Sequence, residues 1–175
     1  MPALTLARAA ESIGAQRLAA AHPGAAAQRD ALALYDRCLA HYRSAIQPRF
    51  TRATDQDDLS PAAAYFVLAN LAALGAEEPD QDGFEALAAQ LGRLISGTEA
   101  WQRAPLAERQ AWFEQLALLG VLVNESRVQA RAQGLAATAN VERAAHSYLT
   151  QLLGLDPAAL VVTPQGLVAR MALQP

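Results

Sequence analysis

Between Ala62 and Leu74 the chain is apolar nearly all round a helix. Tyr65, Phe66, Leu68, Leu71 and Leu74 fall on different sides, and Asn70 is the only strongly polar interruption. A helix without a polar face has to be surrounded, so this segment belongs at the centre and the rest of the chain must supply its shell. The start is marked at Ser60-Pro61, a hydroxyl cap followed by a proline where no amide donor is needed. Gly75 marks the stop.

The shell reads as more helices. Alanine makes up about a quarter of the chain, leucine comes next and β-branched residues are sparse, a composition that loses little on entering a helix. Leu6, Ala10, Ile13 and Leu18 predict a first helix over about 4–21, broken at His22-Pro23-Gly24. Leu32, Tyr35, Leu39, Tyr42 and Ile46 predict a second over about 26–46, stopped by Pro48, and the two can form an antiparallel hairpin. Phe84, Leu87, Ala88, Leu91, Leu94 and Ile95 make the cleanest amphipathic stripe, closed by Gly97. A connector with Trp101 leads to the longest helix, about 105–133, in which Gly120 marks a close crossing. The last helix runs over about 138–153. In the tail, Asp156-Pro157 predicts a capped turn, Leu160 to Val162 is β-prone, and Thr163-Pro164-Gln165-Gly166 fits a type II turn. The expectation is an all-α, single-domain bundle of about six helices over 1–175. It divides into an N-terminal helix hairpin (1–47), core helices (60–153) and a short ordered flap (154–175).

Several chemistries are excluded. All fourteen cations are arginine, so Schiff-base, phosphate-loop and general-base lysines are absent. The net charge of −3 gives no basic stripe for nucleic acid, no apolar run approaches a membrane span, and the single Cys38 has no disulfide partner in the chain. Cys38 precedes Leu39 on an amphipathic helix and reads as a buried structural thiol. The N-terminus reads as mature sequence without a signal peptide, which points to the cytoplasm.

Glu78, Asp80, Asp82 and Gly83 occupy the first, third, fifth and sixth positions of a calcium loop. Ala89 stands where the bidentate carboxylate must be, so a solvated, helix-capping loop is the expected reading and no metal or cofactor is assigned. Glu142 and His146 lie four apart on one face, whereas di-iron bundles space this pair by three and use it twice. Glu108 and Glu114 are the least implausible carboxylate pair for a hydrolase. Arg43, Arg49, Phe50 and Arg52 gather where the second helix ends; they complement its dipole or form a docking patch, since arginine and aromatic residues are enriched in binding hot spots. Trp101 and Trp112 read as core.

From about Asp58 to Leu167 the chain resembles a family of bacterial all-α proteins known as a domain of unknown function. The resemblance rests on Leu68-Ala69-Asn70, Glu108-Arg109-Gln110, Glu114-Gln115-Leu116, Tyr148-Leu149, Gly154-Leu155-Asp156-Pro157 and Thr163, Gln165, Gly166 and Leu167; the first two helices match more weakly. It implies no activity, and it implies an exported location, against the absence of a signal. The shared polar residues Asn70, Glu114 and Asp156 read as structural: Asn70 bonding the tail backbone, Glu114 tying the long helix to the tail or to an arginine. The leading expectation is a non-enzymatic module engaging a protein partner or a second copy of itself. The alternatives are a carboxylate-based hydrolase of an envelope polymer and a carrier of a small apolar ligand.

Overall fold

The computed structural model describes residues 4–51 and 55–170. Among these are seven α-helices and two short antiparallel strand pairs. The apolar segment forms α3 (Leu59–Ala73), the centre of the bundle, with twelve of its residues buried. It crosses α6 (Leu106–Gln133) and packs on α4 (Gln81–Ser96) and α7 (Leu135–Leu153). The N-terminal helices α1 (Ile13–Ala20) and α2 (Ala25–His41) pack on each other, and both lean on α6. Trp101, Tyr42, Phe113, Leu59 and Leu118 fill one side of the core, and Val67, Leu87, Leu91 and Leu149 the other.

The first turn of the expected first helix is instead a strand. Thr5–Ala7 (β1) pairs antiparallel with Gln56–Asp58 (β2), matching Leu6 to Asp57. Leu6 is buried on a strand that alternates exposed and buried residues. That period of two is hidden because Leu6 also satisfies the helical spacing, and because the partner strand lies some fifty residues on, in a stretch that reads as loop. The cap of α3 shifts accordingly. Asp58, not Ser60, is the N-cap, its carboxylate accepting the Ser60 amide at 3.0 Å, while burial pushes the Asp58 carboxyl up from its ordinary range. Between α4 and α6 the connector folds into a short α5 (Glu99–Arg103), capped by Thr98, with Trp101 fully buried.

The second helix does not stop cleanly. Residues Tyr42–Ile46 continue as a single π-helical turn and Gln47–Arg49 as a 3₁₀ turn before Phe50, a widening and tightening found at functional bends. It turns Tyr42 and Arg43 inward and carries Arg49 and Phe50 to the opposite side of α3.

The tail is the expected flap: a 3₁₀ turn at Pro157–Ala159, capped by Asp156, then the hairpin β3 (Leu160–Thr163) and β4 (Gly166–Ala169). Its turn is not type II. Among the described residues only glycines have positive φ, and in this turn the positive value falls on Gly166 (φ 103°), after the two loop residues Pro164 and Gln165. That is the pattern of a type I turn closed by a left-handed glycine. The tail does not bond to Asn70 either. Asn70 is fully buried and donates to the Phe66 carbonyl of its own helix at 2.8 Å, its Oδ1 without a partner. Gln90 ties the flap down instead, donating to the Leu167 carbonyl (3.0 Å) and accepting the Leu167 amide (2.7 Å). Because the amide oxygen of Asn70 is buried without a partner, Asn70→Ala removes an unsatisfied acceptor along with one good hydrogen bond. We expect a loss of about 1 kcal/mol, and so a melting temperature lower by roughly 2–4 °C with an unchanged helical circular dichroism spectrum.

Candidate functional site

Two clusters of functional side chains lie on opposite sides of the Tyr42–Phe50 bend. The inner one centres on Asp57, in the middle position of β2 and fully buried. Its Oδ1 accepts Nε of Arg43 at 3.1 Å and faces Nε of Arg8 at 3.4 Å; its Oδ2 accepts Nη2 of Arg43 at 2.6 Å and Nε2 of Gln110 at 2.8 Å. One turn along α6 from Gln110, the buried Glu114 accepts the Gly14 amide at 2.6 Å, and its other oxygen lies 3.6 Å from Arg43. Ser12, the N-cap of α1, makes no capping bond with its side chain. Glu114 therefore supplies that cap from across the fold, with its charge at the positive end of the α1 dipole.

This is a corrected role for Arg43. It is no surface docking residue: its guanidinium forks onto Asp57, lies 5.7 Å from the Phe113 ring centre, and is largely buried. Glu114 reaches this arginine, as one of its two expected ties, and does not reach the tail. Nor does Glu114 meet Glu108. Residues six apart on a helix sit about 9 Å apart along its axis and on different faces; Glu108 is held at the surface by both guanidinium nitrogens of Arg17, at 2.7 Å each. The carboxyls do shift in opposite directions, Glu108 lowered by its hydrogen bonds to Arg17 and Glu114 raised by burial against the opposing Gly14 amide and Arg43, but the shifts arise in two separate places.

The raised Glu114 has a measurable consequence. The folded state holds this proton more tightly than the unfolded chain, whose carboxyl titrates near the ordinary value of about 4.3. In the window between that value and the raised folded one, the unfolded state therefore binds fewer protons, and stability rises as pH falls. Asp58, also raised, acts in the same direction. Thermal melts from neutral pH down to about 4.3 should show this gain in the wild type, and a smaller gain in Glu114→Gln, which keeps an oxygen for the Gly14 amide and cannot titrate.

The outer cluster is open. Phe50 stacks on Phe84 of α4 with ring centres 3.9 Å apart, and the Arg49 guanidinium lies 5.7 Å from the Phe50 centre. Beside this stack a cavity of about 230 Å³ opens between α3, the acidic loop and α6, with Arg49, Phe50 and Tyr65 on one part of its wall and Glu78 and Asp80 on another; Leu68, Ala69 and Ala72 also line it. Arg52 lies outside the described residues. Within the acidic loop, Asp80 caps α4 by accepting the Gly83 amide at 2.9 Å, and Asp82 sits in the first turn of that helix. Among the described residues no three His, Cys, Asp or Glu side chains are grouped so as to hold a metal ion.

Residues 2–170 match the model of a family of unknown function. The chain belongs to DUF6683. No curated protein and no solved structure matches it. The DUF6683 match starts at residue 2, so the family includes the N-terminal hairpin that the short motifs from Asp58 onward leave out. This DUF6683 chain has no helix long and apolar enough to cross a membrane among its described residues.

The remaining polar residues settle into structural positions. Asp156 caps its 3₁₀ turn and pairs with His146 at 3.3 Å, so the histidine faces the tail and not Glu142. Cys38 is buried, and burial raises its thiol further from ionisation. Trp101 is fully buried beside the partly buried Trp112, at a ring separation of 5.8 Å. Sequence reasoning missed Asp57 and Gln90. Asp57 had no local signal, standing in a run of polar residues. For Gln110 and Glu114 there was a signal, two polar residues four apart on the same face of α6, just ahead of its apolar run 116–123.

Proposed function

We propose that this chain is a non-enzymatic helical binding module that engages a protein partner, or a second copy of itself, over the face headed by Arg49 and Phe50. The observation that carries this reading is the half-buried Phe50, stacked on the buried Phe84 with an exposed arginine beside its ring. Aromatic rings and arginine give the largest contributions at interfaces, where a rigid ring is buried at small entropic cost and a guanidinium forks onto acceptors. The two carboxylates singled out as a hydrolase pair are otherwise engaged, Glu114 on the Gly14 amide and Glu108 on Arg17.

Affinity capture with the wild type and with an Arg49→Glu/Phe50→Ala variant of unchanged melting temperature tests the reading. A partner held by the wild type should be lost from the variant, or, if the partner is a second copy, light scattering should show a dimer only for the wild type. Identical captured proteins and identical masses for the two would sink it.

A further inference from the structure

The cavity beside the Phe50–Phe84 stack has features that a protein interface does not need. Its wall carries two opposite charges, Arg49 and Glu78, and neither forms an ion pair with the other or with any other described residue. Asp80, the third charged group on the wall, gives one oxygen to the Gly83 amide and keeps its negative charge on the same side as Glu78. Tyr65 lines the same cavity. Its ionisation is pushed up to about 12, first by burial and then by Glu125 and Glu78, with Arg49 opposing, which sets both wall charges within electrostatic reach of this one group. Among the described residues its hydroxyl has no hydrogen-bond partner, and it is not sealed from solvent. Leu68, Ala69, Ala72 and Phe84 give one apolar part of the wall from the helices α3 and α4, while Gln81 and Asn124 add neutral polar groups elsewhere on it. At about 230 Å³ the space falls below the roughly 300–1,000 Å³ of sites for drug-sized ligands, so its occupant is small.

We propose that this cavity binds a small zwitterion with an apolar body, of the class of the free aliphatic α-amino acids. Its carboxylate sits on the Arg49 guanidinium, its ammonium on Glu78, and its side chain against Leu68, Ala69 and Ala72. Each charge of such a ligand meets its complement, and the hydroxyl of Tyr65, on the same cavity wall, is available to donate to the carboxylate. A singly charged ligand leaves one wall charge facing an apolar or like-charged group, which costs affinity. The inference goes beyond the partner reading and does not depend on it, since the cavity lies beside the stack while a partner would cover the stack from outside.

The test is a titration of the full chain with leucine, followed by the aromatic NMR signals of Tyr65 and Phe50 and by calorimetry. N-acetyl-leucine, which lacks the ammonium, and leucinamide, which lacks the carboxylate, serve as controls. Leucine should move the Tyr65 signals saturably, and each control should bind about ten- to a hundredfold more weakly. Arg49→Gln should abolish the preference for leucine over leucinamide while keeping the preference over N-acetyl-leucine; Glu78→Gln should do the reverse. Both positions are exposed, and unchanged melting temperatures confirm that the variants fold. Equal binding of all three compounds overturns the proposal, because it reduces the site to an apolar hollow. So does the absence of any saturable shift across a panel of aliphatic and aromatic amino acids. Neither failure touches the capture experiment on the partner face.

Discussion

Asp57→Ala is expected to cost about 3–5 kcal/mol, the range for removing one partner of a buried ion pair. Asp57 is fully buried and receives donors from Arg43, Gln110 and Arg8, so alanine leaves the Arg43 guanidinium in the interior with only Glu114 at 3.6 Å to answer it. For a chain of this size such a loss lowers the melting temperature by on the order of 10 °C. The decisive measurement is a double-mutant cycle with Arg43→Met. If the knot acts as one unit, the double variant is more stable than the sum of the single losses predicts, because the stranded charge is gone. Additive losses would mean that Asp57 and Arg43 stabilise the fold through separate neighbours.

Gly120→Val comes next in expected effect. At Gly120 the long helix α6 passes so close to α3 that an added Cβ would meet the Tyr65 ring at 2.8 Å and the Phe66 Cα at 3.3 Å. The ring can swing, but the backbone of a helix with twelve buried residues cannot give way without moving the whole core. A loss of about 1–3 kcal/mol is expected from such overpacking, larger for valine than for Gly120→Ala, and readable as a lower denaturant midpoint. An alanine variant as stable as the wild type would show that Tyr65 moves aside freely. Because Tyr65 also lines the outer cavity, that variant should alter leucine binding even if its stability is unchanged.

The helices were legible because the rules that place them are local. The apolar run of α3, the stripe of α4 and the spacing on α2 each specify a buried face within one segment, and Gly120 reads correctly because small residues inside leucine-rich helices tend to mark crossings. What escaped depends on pairs far apart in the chain. β1 needs β2, Asp57 needs Arg43 and Gln110, and the flap needs Gln90; none of these is visible within a helical turn. The arginine-aromatic cluster shows the same limit inside a short stretch. Arg43, Arg49 and Phe50 are neighbours in sequence, yet the π turn between them sends Arg43 into the knot and the other two to the outer cavity. A helical wheel assumes constant pitch, and this bend breaks it.

One hydrogen bond constrains the order in which the domain can be built. The amide of Gly14 at the head of α1 finds its acceptor in Glu114, one hundred residues later. On a ribosome, which releases the chain from its N-terminal end, the first helix must wait with an open end until most of α6 has emerged. The head of the first helix is therefore completed only after about two thirds of the chain has been made.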